Sequence, residues 1–445
     1  MKTRMKFLLT SIWPGTSLDA RLNLTAAIGS TVVRQVLASG MYFVAVWIIT
    51  RQLGPVQNGL LATVLLLPQT LYAFLNLGLG ASHIYHLSSG SGNHLRMRSM
   101  NWLLAAALWG ATVILLGLVS EQNIGKYLPG IEKSTALRAS ALFPMMLLAS
   151  WTSSLIQGRR DYLAYNKTLL VQPLVFCVSV IFLRLNGGLT VESVLLCYIL
   201  SQMSLWFLSE TKVMKFARPV GGEAHRFADS LRFGLRAHIS NVITFMHYRV
   251  ALYLVSYLLG AAATGKYALS VQLAEVLWLI SSAASMIVFP ESAAYSKSPV
   301  ELQKMVSKIA RSVVQITFAG AVLAAALSPF AIPWIFGADY KGSVMPFLIL
   351  LPGIVIWSYM SIISNSLAGM GYQMVNVRSA LLCLLMNVSG DLLAIPRFGA
   401  NGAALASTIA FTITTLYTAM VYQKIMADKL KPVYSPNERK VGAGS

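Results

Sequence analysis

A ten-residue motif occurs twice in this chain, once in each half. The first copy reads Leu53-Gly54-Pro55-Val56-Gln57-Asn58-Gly59-Leu60-Leu61-Ala62, and the second reads Leu259-Gly260-Ala261-Ala262-Ala263-Thr264-Gly265-Lys266-Tyr267-Ala268. Both copies keep Leu-Gly, four residues, Gly, two residues and Ala. In both copies a long apolar run ends at the first Gly, and another begins after the second. A membrane chain that repeats one loop half a chain apart is typical of a transporter built from two related bundles.

The composition also indicates a membrane protein. Of 445 residues, 56% are hydrophobic and 11% are charged, and the mean hydropathy is +0.64; soluble domains carry about 25% charged residues. Apolar runs of about 20 residues, long enough to cross a bilayer, recur along the whole chain. The three cysteines lie inside such runs without disulfide or zinc spacing, so we expect them to be core residues.

The apolar runs predict an all-α polytopic membrane protein with about 12 transmembrane helices. The predicted spans are 28–50, 59–84, 100–119, 136–157, 168–186, 190–211, 234–258, 267–290, 308–327, 344–369, 375–395 and 400–423. They form two six-helix lobes, at 28–211 and 233–424, joined by a basic cytoplasmic linker at 212–232. We expect residues 1–27 to form an amphipathic helix on the inner leaflet and 425–445 to form a cytoplasmic tail.

The basic residues orient these spans. With both termini in the cytoplasm, 25 of the 35 Lys and Arg residues lie on the cytoplasmic side, eight lie outside and two lie within spans. This bias follows the positive-inside rule and accounts for most of the net charge of +20, which argues against nucleic-acid binding. Because each lobe has an even number of spans, both lobes enter from the same side, and we expect the substrate path to run between them.

Further motifs accompany the two copies of the repeat in a set order. They are Thr50-Arg51-Gln52 before the first copy, Leu75-Asn76-Leu77-Gly78-Leu79, Leu231-Arg232-Phe233-Gly234-Leu235, Tyr248-Arg249, Phe289-Pro290, and Gly399-Ala400-Asn401-Gly402-Ala403-Ala404-Leu405-Ala406. With these motifs the chain resembles the multidrug/oligosaccharidyl-lipid/polysaccharide exporter (MOP) superfamily, and within it the polysaccharide transporter branch of O-antigen and exopolysaccharide flippases. The resemblance implies two six-helix lobes around a cavity that opens alternately to either side of the bacterial inner membrane. It also implies an undecaprenyl-diphosphate-linked sugar as the substrate.

Two other branches of the superfamily remain alternatives. Ion-coupled multidrug exporters typically carry an acid in span one, where this chain has Arg34. Lipid II flippases usually have fourteen spans, and an Arg pair follows their Pro-Asn in span two, where this chain reads Pro68-Gln69-Thr70-Leu71-Tyr72-Ala73. A membrane-embedded sugar polymerase or ligase would need a large outer loop, whereas the predicted outer loops are short. We therefore expect a flippase and not an enzyme.

Two arginines within spans are the main candidates for binding the substrate. An arginine at a helix centre costs about 2.5–3.5 kcal/mol on insertion scales, so it is expected to face water, a partner or a ligand. Arg34 either binds the diphosphate or extends to the inner headgroups. Arg249 lies at about the same predicted depth as Glu275, so they form either a static ion pair or a pair that the diphosphate separates. Gln272, one turn before Glu275, is a further substrate-binding candidate.

Other candidates have competing structural roles. Asp391 could couple transport to an ion or pair with Arg397 at the interface. Arg51 could contact substrate or anchor the loop carbonyls near Gly54, and Tyr72 could stack on a sugar or only pack.

The sequence predicts no metal site and no cofactor other than a coupling H⁺ or Na⁺. The run from Gly260 to Lys266 resembles a phosphate-binding loop, but Tyr267 replaces the Ser or Thr that would reach Mg²⁺. Glu275 and Asp391 are the candidate coupling acids. A monomer of two lobes is sufficient for this mechanism, and polysaccharide polymerase machinery is a possible partner.

Overall fold

The computed structural model describes residues 18–88, 93–159, 161–216, 227–295 and 298–430, and these residues form helices without any strand. Residues 1–17 of the predicted inner-leaflet helix, residues 217–226 of the linker and residues 431–445 of the tail lie outside these ranges. The helices are α1 (Leu18–Leu75), α2 (Leu79–Ser88), α3 (His94–Leu118), α4 (Glu121–Tyr127), α5 (Lys133–Ser140), α6 (Leu142–Gly158), α7 (Tyr162–Leu169), α8 (Val171–Leu185), α9 (Val191–Met214), α10 (Phe227–Leu259), α11 (Ala261–Val276), α12 (Trp278–Ala294), α13 (Pro299–Phe336), α14 (Val344–Gly369), α15 (Gln373–Phe398) and α16 (Ala400–Leu430).

Helix α1 contains the first copy of the repeated motif at a break. Gly54 has φ 69° and ψ 177°, a conformation that side chains with a Cβ rarely adopt, and Pro55 begins the helix that follows. The apolar part, Val33–Leu75, has 43 residues. At about 1.5 Å per residue it is roughly twice as long as the hydrocarbon core is thick. The predicted spans one and two therefore correspond to the two arms of this broken helix.

Fewer helices pass a simple test for membrane spans than the twelve that the sequence predicts. Among the described residues, nine segments are long and apolar enough to cross a membrane, or ten if the bent pair α11–α12 is one span. The difference arises because spans one and two form one segment, and because only Arg249–Leu259 within α10 is a short apolar helix. The all-α polytopic architecture is confirmed, and the count of twelve stays a prediction.

The chain divides into two compact units. One comprises the described residues up to Ala268 together with Phe330–Gly342; the other comprises Leu269–Pro329 and the described residues from Ser343 onward. Helix α10 belongs to the first unit because it packs along α1 and α2. This division falls later in the chain than the predicted linker at 212–232, and the two six-helix lobes stay a prediction.

Each unit has its own core. In the first unit α6 is largely buried, and its Phe143, Leu147 and Trp151 pack with Leu79 of α2 and Ala105 of α3. In the second unit Ile362, Ile363 and Leu367 of α14 pack against α13 and α16. Many large apolar side chains are exposed, as expected of a surface that contacts lipid; they include Leu118, Leu185, Leu323, Phe330 and Trp334. Cys177, Cys197 and Cys383 are buried and free, as the sequence predicts.

The predicted orientation can be tested with cysteine labelling, because the three native thiols are buried. We expect a cysteine in place of exposed Lys126 to react with an impermeant maleimide added to intact cells. A cysteine in place of half-buried Lys429 should react only after the membrane is opened, because positive-inside charge places it in the cytoplasm. The opposite pattern of labelling would reverse the orientation.

Candidate functional site

Arg34, the first predicted anion-binding residue, is held by a buried asparagine. Its Nε donates a hydrogen bond to Oδ1 of Asn166, at 3.1 Å. The Asn166 amide nitrogen in turn donates to Ser30 Oγ and Thr31 Oγ1, each at 2.9 Å. Asn166 lies on α7 and only 3% of its surface is exposed. The network therefore fixes the guanidinium of α1 against α7.

Arg34 has no acidic partner among the described residues. The ion pairs there are Arg98 with Glu210 and Arg138 with Glu192. The terminal nitrogens of Arg34 also have no hydrogen-bond partner in the part of the chain that the structure describes. A half-buried guanidinium without a counter-ion is suited to an external anion, since charge-assisted, bidentate hydrogen bonds to phosphate are strong.

Two tyrosines lie close to this arginine. The Tyr165 hydroxyl is within electrostatic range of both Arg34 and Tyr72. The Tyr72 hydroxyl donates to Ser150 Oγ at 2.9 Å, and the side chain is half-buried. The structure thus brings two predicted substrate-binding residues, Arg34 and Tyr72, into the same region. The bond to Ser150 gives Tyr72 a structural role, and its stacking on a sugar stays a prediction.

Arg249, the second predicted arginine, is half-buried on α10 and lies within electrostatic range of Tyr198. Tyr198 packs on Phe176 with ring centroids 4.3 Å apart, and Tyr42 packs on the same ring at 5.7 Å. This places a cation beside an aromatic cluster. Glu275 and Gln272 lie on α11 in the second compact unit. The pairing of Arg249 with Glu275 stays a prediction.

Asp391 lies in a buried polar stripe of the second unit. Its side chain is fully buried on α15, and neither carboxylate oxygen has a hydrogen-bond partner among the described residues. It therefore forms no ion pair with Arg397, the alternative that the sequence left open. Asn387 is buried one turn earlier. The described residues contain no cluster of three or more His, Cys, Asp or Glu side chains, so they offer no site of that kind for a metal ion.

Arg51, by contrast, donates hydrogen bonds to main-chain carbonyls. Its Nη1 donates to the carbonyls of Trp334 and Ile335, at 3.4 and 3.3 Å, and Trp47 Nε1 donates to the Ile335 carbonyl at 2.8 Å. These carbonyls are at the C-terminus of α13, where a positive side chain is favourable. The geometry favours an anchoring role for Arg51, on different carbonyls from those that the sequence suggested.

The two copies of the repeated motif contact each other through their glycines. A Cβ on Gly59 would lie 1.7 Å from the Ala261 carbonyl oxygen, and a Cβ on Gly265 would lie 2.0 Å from the Pro55 carbonyl oxygen. Ala261 and Pro55 are equivalent positions in the two copies, so the contact is reciprocal. Only glycine permits main chains to approach this closely. We call this arrangement the glycine contact.

A second close approach lies at the other end of the same helices. A Cβ on Gly78 would lie 2.2 Å from the Gly234 carbonyl oxygen, and His238 Nε2 lies 2.8 Å from the Phe74 carbonyl oxygen. Between the two ends, the Thr63 and Ser256 hydroxyls are 2.7 Å apart. The second arm of α1 thus meets the start of α11 at one end, and its continuation meets α10 at the other.

The sequence did not single out Tyr165 and Asn166. A polar residue pair at the start of a span carries no sequence signal by itself, because such residues are common there. The buried pair of Glu210 with Arg98, to which Trp102 also donates, was not predicted either. Acids and bases spaced three or four residues apart on one helix are visible in a sequence, whereas these partners are 112 positions apart.

Comparisons with known proteins agree with this architecture. The family model described as "Polysaccharide biosynthesis protein" matches residues 48–345. The probable low-salt glycan biosynthesis flippase Agl15 of Haloferax volcanii is 21% identical over 90% of this chain and 83% of its own length. The lipid II flippase MurJ in an inward closed conformation matches with a TM-score of 0.73 at 16% identity, over 91% of each chain. An inward-facing multidrug resistance MATE transporter matches with a TM-score of 0.73 at 15% identity, over 91% of this chain and 99% of that one.

The chain shares the all-helical, multi-pass membrane fold of these solved structures. Because the family model spans more than half of its length, the chain belongs to the polysaccharide biosynthesis protein family. The resemblance identified from the sequence motifs is confirmed. The relatives named above are flippases and transporters rather than enzymes, which agrees with the predicted class.

The glycine contact predicts that alanine substitutions at different glycines have very different effects on the stability of the protein. We expect Gly59→Ala and Gly265→Ala each to destabilise the protein by about 1–3 kcal/mol, because a methyl group would overlap a carbonyl oxygen. Gly110→Ala is the matched control, since a Cβ there meets nothing within 4 Å and alanine favours the helix. Thermal unfolding in detergent would measure the difference. Equal stability of all three variants would contradict the reciprocal packing.

Proposed function

We propose that this protein is a flippase that moves an undecaprenyl-diphosphate-linked oligosaccharide from the inner to the outer leaflet of the bacterial cytoplasmic membrane. The transported sugar would serve polysaccharide export, as O-antigen, exopolysaccharide or capsule. The observation that carries the proposal is Arg34, a half-buried arginine that Asn166 holds and that has no acidic partner among the described residues. The family and the glycan flippase relative support the same substrate class.

The arginine addresses the main energetic obstacle to flipping. The sugar and the diphosphate are strongly hydrated, so their transfer through hydrocarbon is unfavourable unless protein groups replace the water. A guanidinium stays protonated and matches the geometry of phosphate oxygens, so it offsets part of this cost. The polyprenyl chain is apolar and would remain in lipid while the headgroup crosses.

Arg249 would be a second cationic position along this path. It lies within electrostatic range of Tyr198, whose ring could pack against the apolar face of a sugar. In this proposal the diphosphate competes with Glu275 for Arg249, and the released carboxylate then takes up H⁺ or Na⁺. Gln272, which is exposed one turn before Glu275, would bind the sugar.

Alternating access would require the glycine contact to separate. The predicted lobes would rock about the 212–232 linker and the proline and glycine breaks, such as Pro68, Pro173 and Pro352-Gly353. A monomer would be sufficient for this movement, and the polysaccharide polymerase machinery would take up the product.

Two other transporter functions are compatible with the fold. The match to a multidrug MATE transporter favours an ion-coupled drug exporter, and the match to MurJ favours a lipid II flippase. Arg34 at the place of the usual acid argues against a cationic drug. The absence of an Arg pair after Pro68 argues against lipid II.

The proposal predicts that transport depends on Arg34 and Arg249. In proteoliposomes that contain a polyprenyl-diphosphate oligosaccharide, we expect Arg34→Ala and Arg249→Ala each to lower the flipping rate by at least about tenfold, the loss of one charge-assisted contact. Arg184→Ala, at an exposed residue, is the control and should leave the rate unchanged. If both arginine variants flip the substrate at the wild-type rate, the two arginines have only structural roles. No flipping by the wild type under any gradient would favour drug export.

Asp391 is proposed to couple transport to H⁺ or Na⁺. A fully buried carboxylate whose oxygens lack partners among the described residues is costly when charged, so it should bind a cation or a proton. We expect Asp391→Asn to fold and to lose the response of the flipping rate to an imposed proton or sodium gradient. Asp161→Asn, an exposed helix cap, is the control. A full gradient response in Asp391→Asn would remove Asp391 from the coupling.

A further inference from the structure

Asn166 uses both ends of its amide to hold one side of Arg34. Its oxygen accepts from Arg34 Nε, and its nitrogen donates to the Ser30 and Thr31 hydroxyls. If the amide were turned by 180°, its nitrogen would face Nε, donor against donor. The partners therefore determine the amide orientation.

This hydrogen bond selects which edge of the guanidinium can bind a ligand. A guanidinium offers two edges for bidentate binding, one that includes Nε and one formed by the two terminal nitrogens. Asn166 occupies Nε. The terminal edge has no partner among the described residues, and its spacing suits two oxygens of one phosphate.

The residue before Asn166 supplies a second polar group. Tyr165 is half-buried on α7, and its hydroxyl lies within electrostatic range of Arg34. The hydroxyl has no hydrogen-bond partner in the described part of the chain. A phenol hydroxyl can donate to a phosphate oxygen and requires no counter-charge.

We propose that Asn166 positions Arg34 and that Tyr165 supplies a second donor, so that the site selects a diphosphate over a monophosphate. This inference rests on the proposed role of Arg34 in binding the substrate anion. The terminal edge of Arg34 holds one phosphate, and Tyr165 donates to the other. These residues contact only the diphosphate part of a ligand. A soluble diphosphate and a lipid-linked diphosphate would therefore bind at the same site.

The test compares pyrophosphate with phosphate as probes of the full-length protein in nanodiscs, with isothermal titration calorimetry. We expect the wild type to bind pyrophosphate more tightly. Asn166→Asp should weaken the binding of both anions by at least about tenfold, because it places a carboxylate against Arg34. Asn166→Ala should weaken both by less, because it removes the positioning but adds no charge. Asn186→Asp, at an exposed residue whose amide donates to the Phe182 carbonyl, is the matched control.

Tyr165→Phe tests the selectivity. We expect it to weaken the binding of pyrophosphate by about tenfold and to leave the binding of phosphate unchanged, because only the second phosphate loses a donor. An equal change for the two anions would overturn the selectivity. A polyprenyl diphosphate added to the nanodiscs should displace pyrophosphate, whereas failure to do so would limit the site to soluble diphosphates and overturn its assignment to the lipid-linked substrate.

Arg34→Ala separates this inference from the proposed function. If pyrophosphate binding survives in Arg34→Ala, the anion site of the proposed function is wrong. If Arg34→Ala loses binding while Asn166→Asp and Asn166→Ala keep it, only the positioning role is wrong. Size-exclusion profiles would identify a variant that fails to fold, and the milder Asn166→Ser then replaces it in the same comparison.

Discussion

The reciprocal approach of main chains at Gly59 and Gly265 is the constraint on which the first compact unit depends. At both positions a side chain would overlap a carbonyl oxygen of the other motif copy. The contact holds the break in α1 against the start of α11, and the polar contacts between α1 and α10 follow from it. The repeat is therefore also a structural element, because its two copies are the two surfaces of one contact.

The candidate site depends on a positive charge that has no counter-charge among the described residues. Membrane-embedded arginines normally pair with an acid or with carbonyls, because an uncompensated charge is costly in a low-dielectric environment. Arg51 and Arg98 lie outside the predicted spans and are paired all the same, Arg51 with the carbonyls at the end of α13 and Arg98 with Glu210. Arg34 has only an amide oxygen on Nε among the described residues. The contrast among these three arginines supports a ligand role for Arg34.

The sequence was sufficient to predict the all-α polytopic architecture. Apolar composition and length predicted the helices, and the repeat predicted the break at Gly54. The cost of a buried charge singled out Arg34. The sequence could not predict Asn166, because that partner is 132 positions away on another helix and asparagine has no distinctive pattern. Nor could it predict that the motif copies touch, because a repeat shows common ancestry and not contact. The sequence also could not decide between the two roles of Arg51, because its hydrogen-bond partners lie at the end of α13, far away in the chain.

The most direct test of the account is a cryo-electron microscopy structure of the full-length protein in nanodiscs with a polyprenyl-diphosphate oligosaccharide. The account predicts phosphate density at the terminal edge of Arg34, with Nε still bonded to Asn166 and the second phosphate next to Tyr165. Diphosphate density away from Arg34, with its terminal nitrogens bonded to an acid or to lipid headgroups, would contradict the central claim.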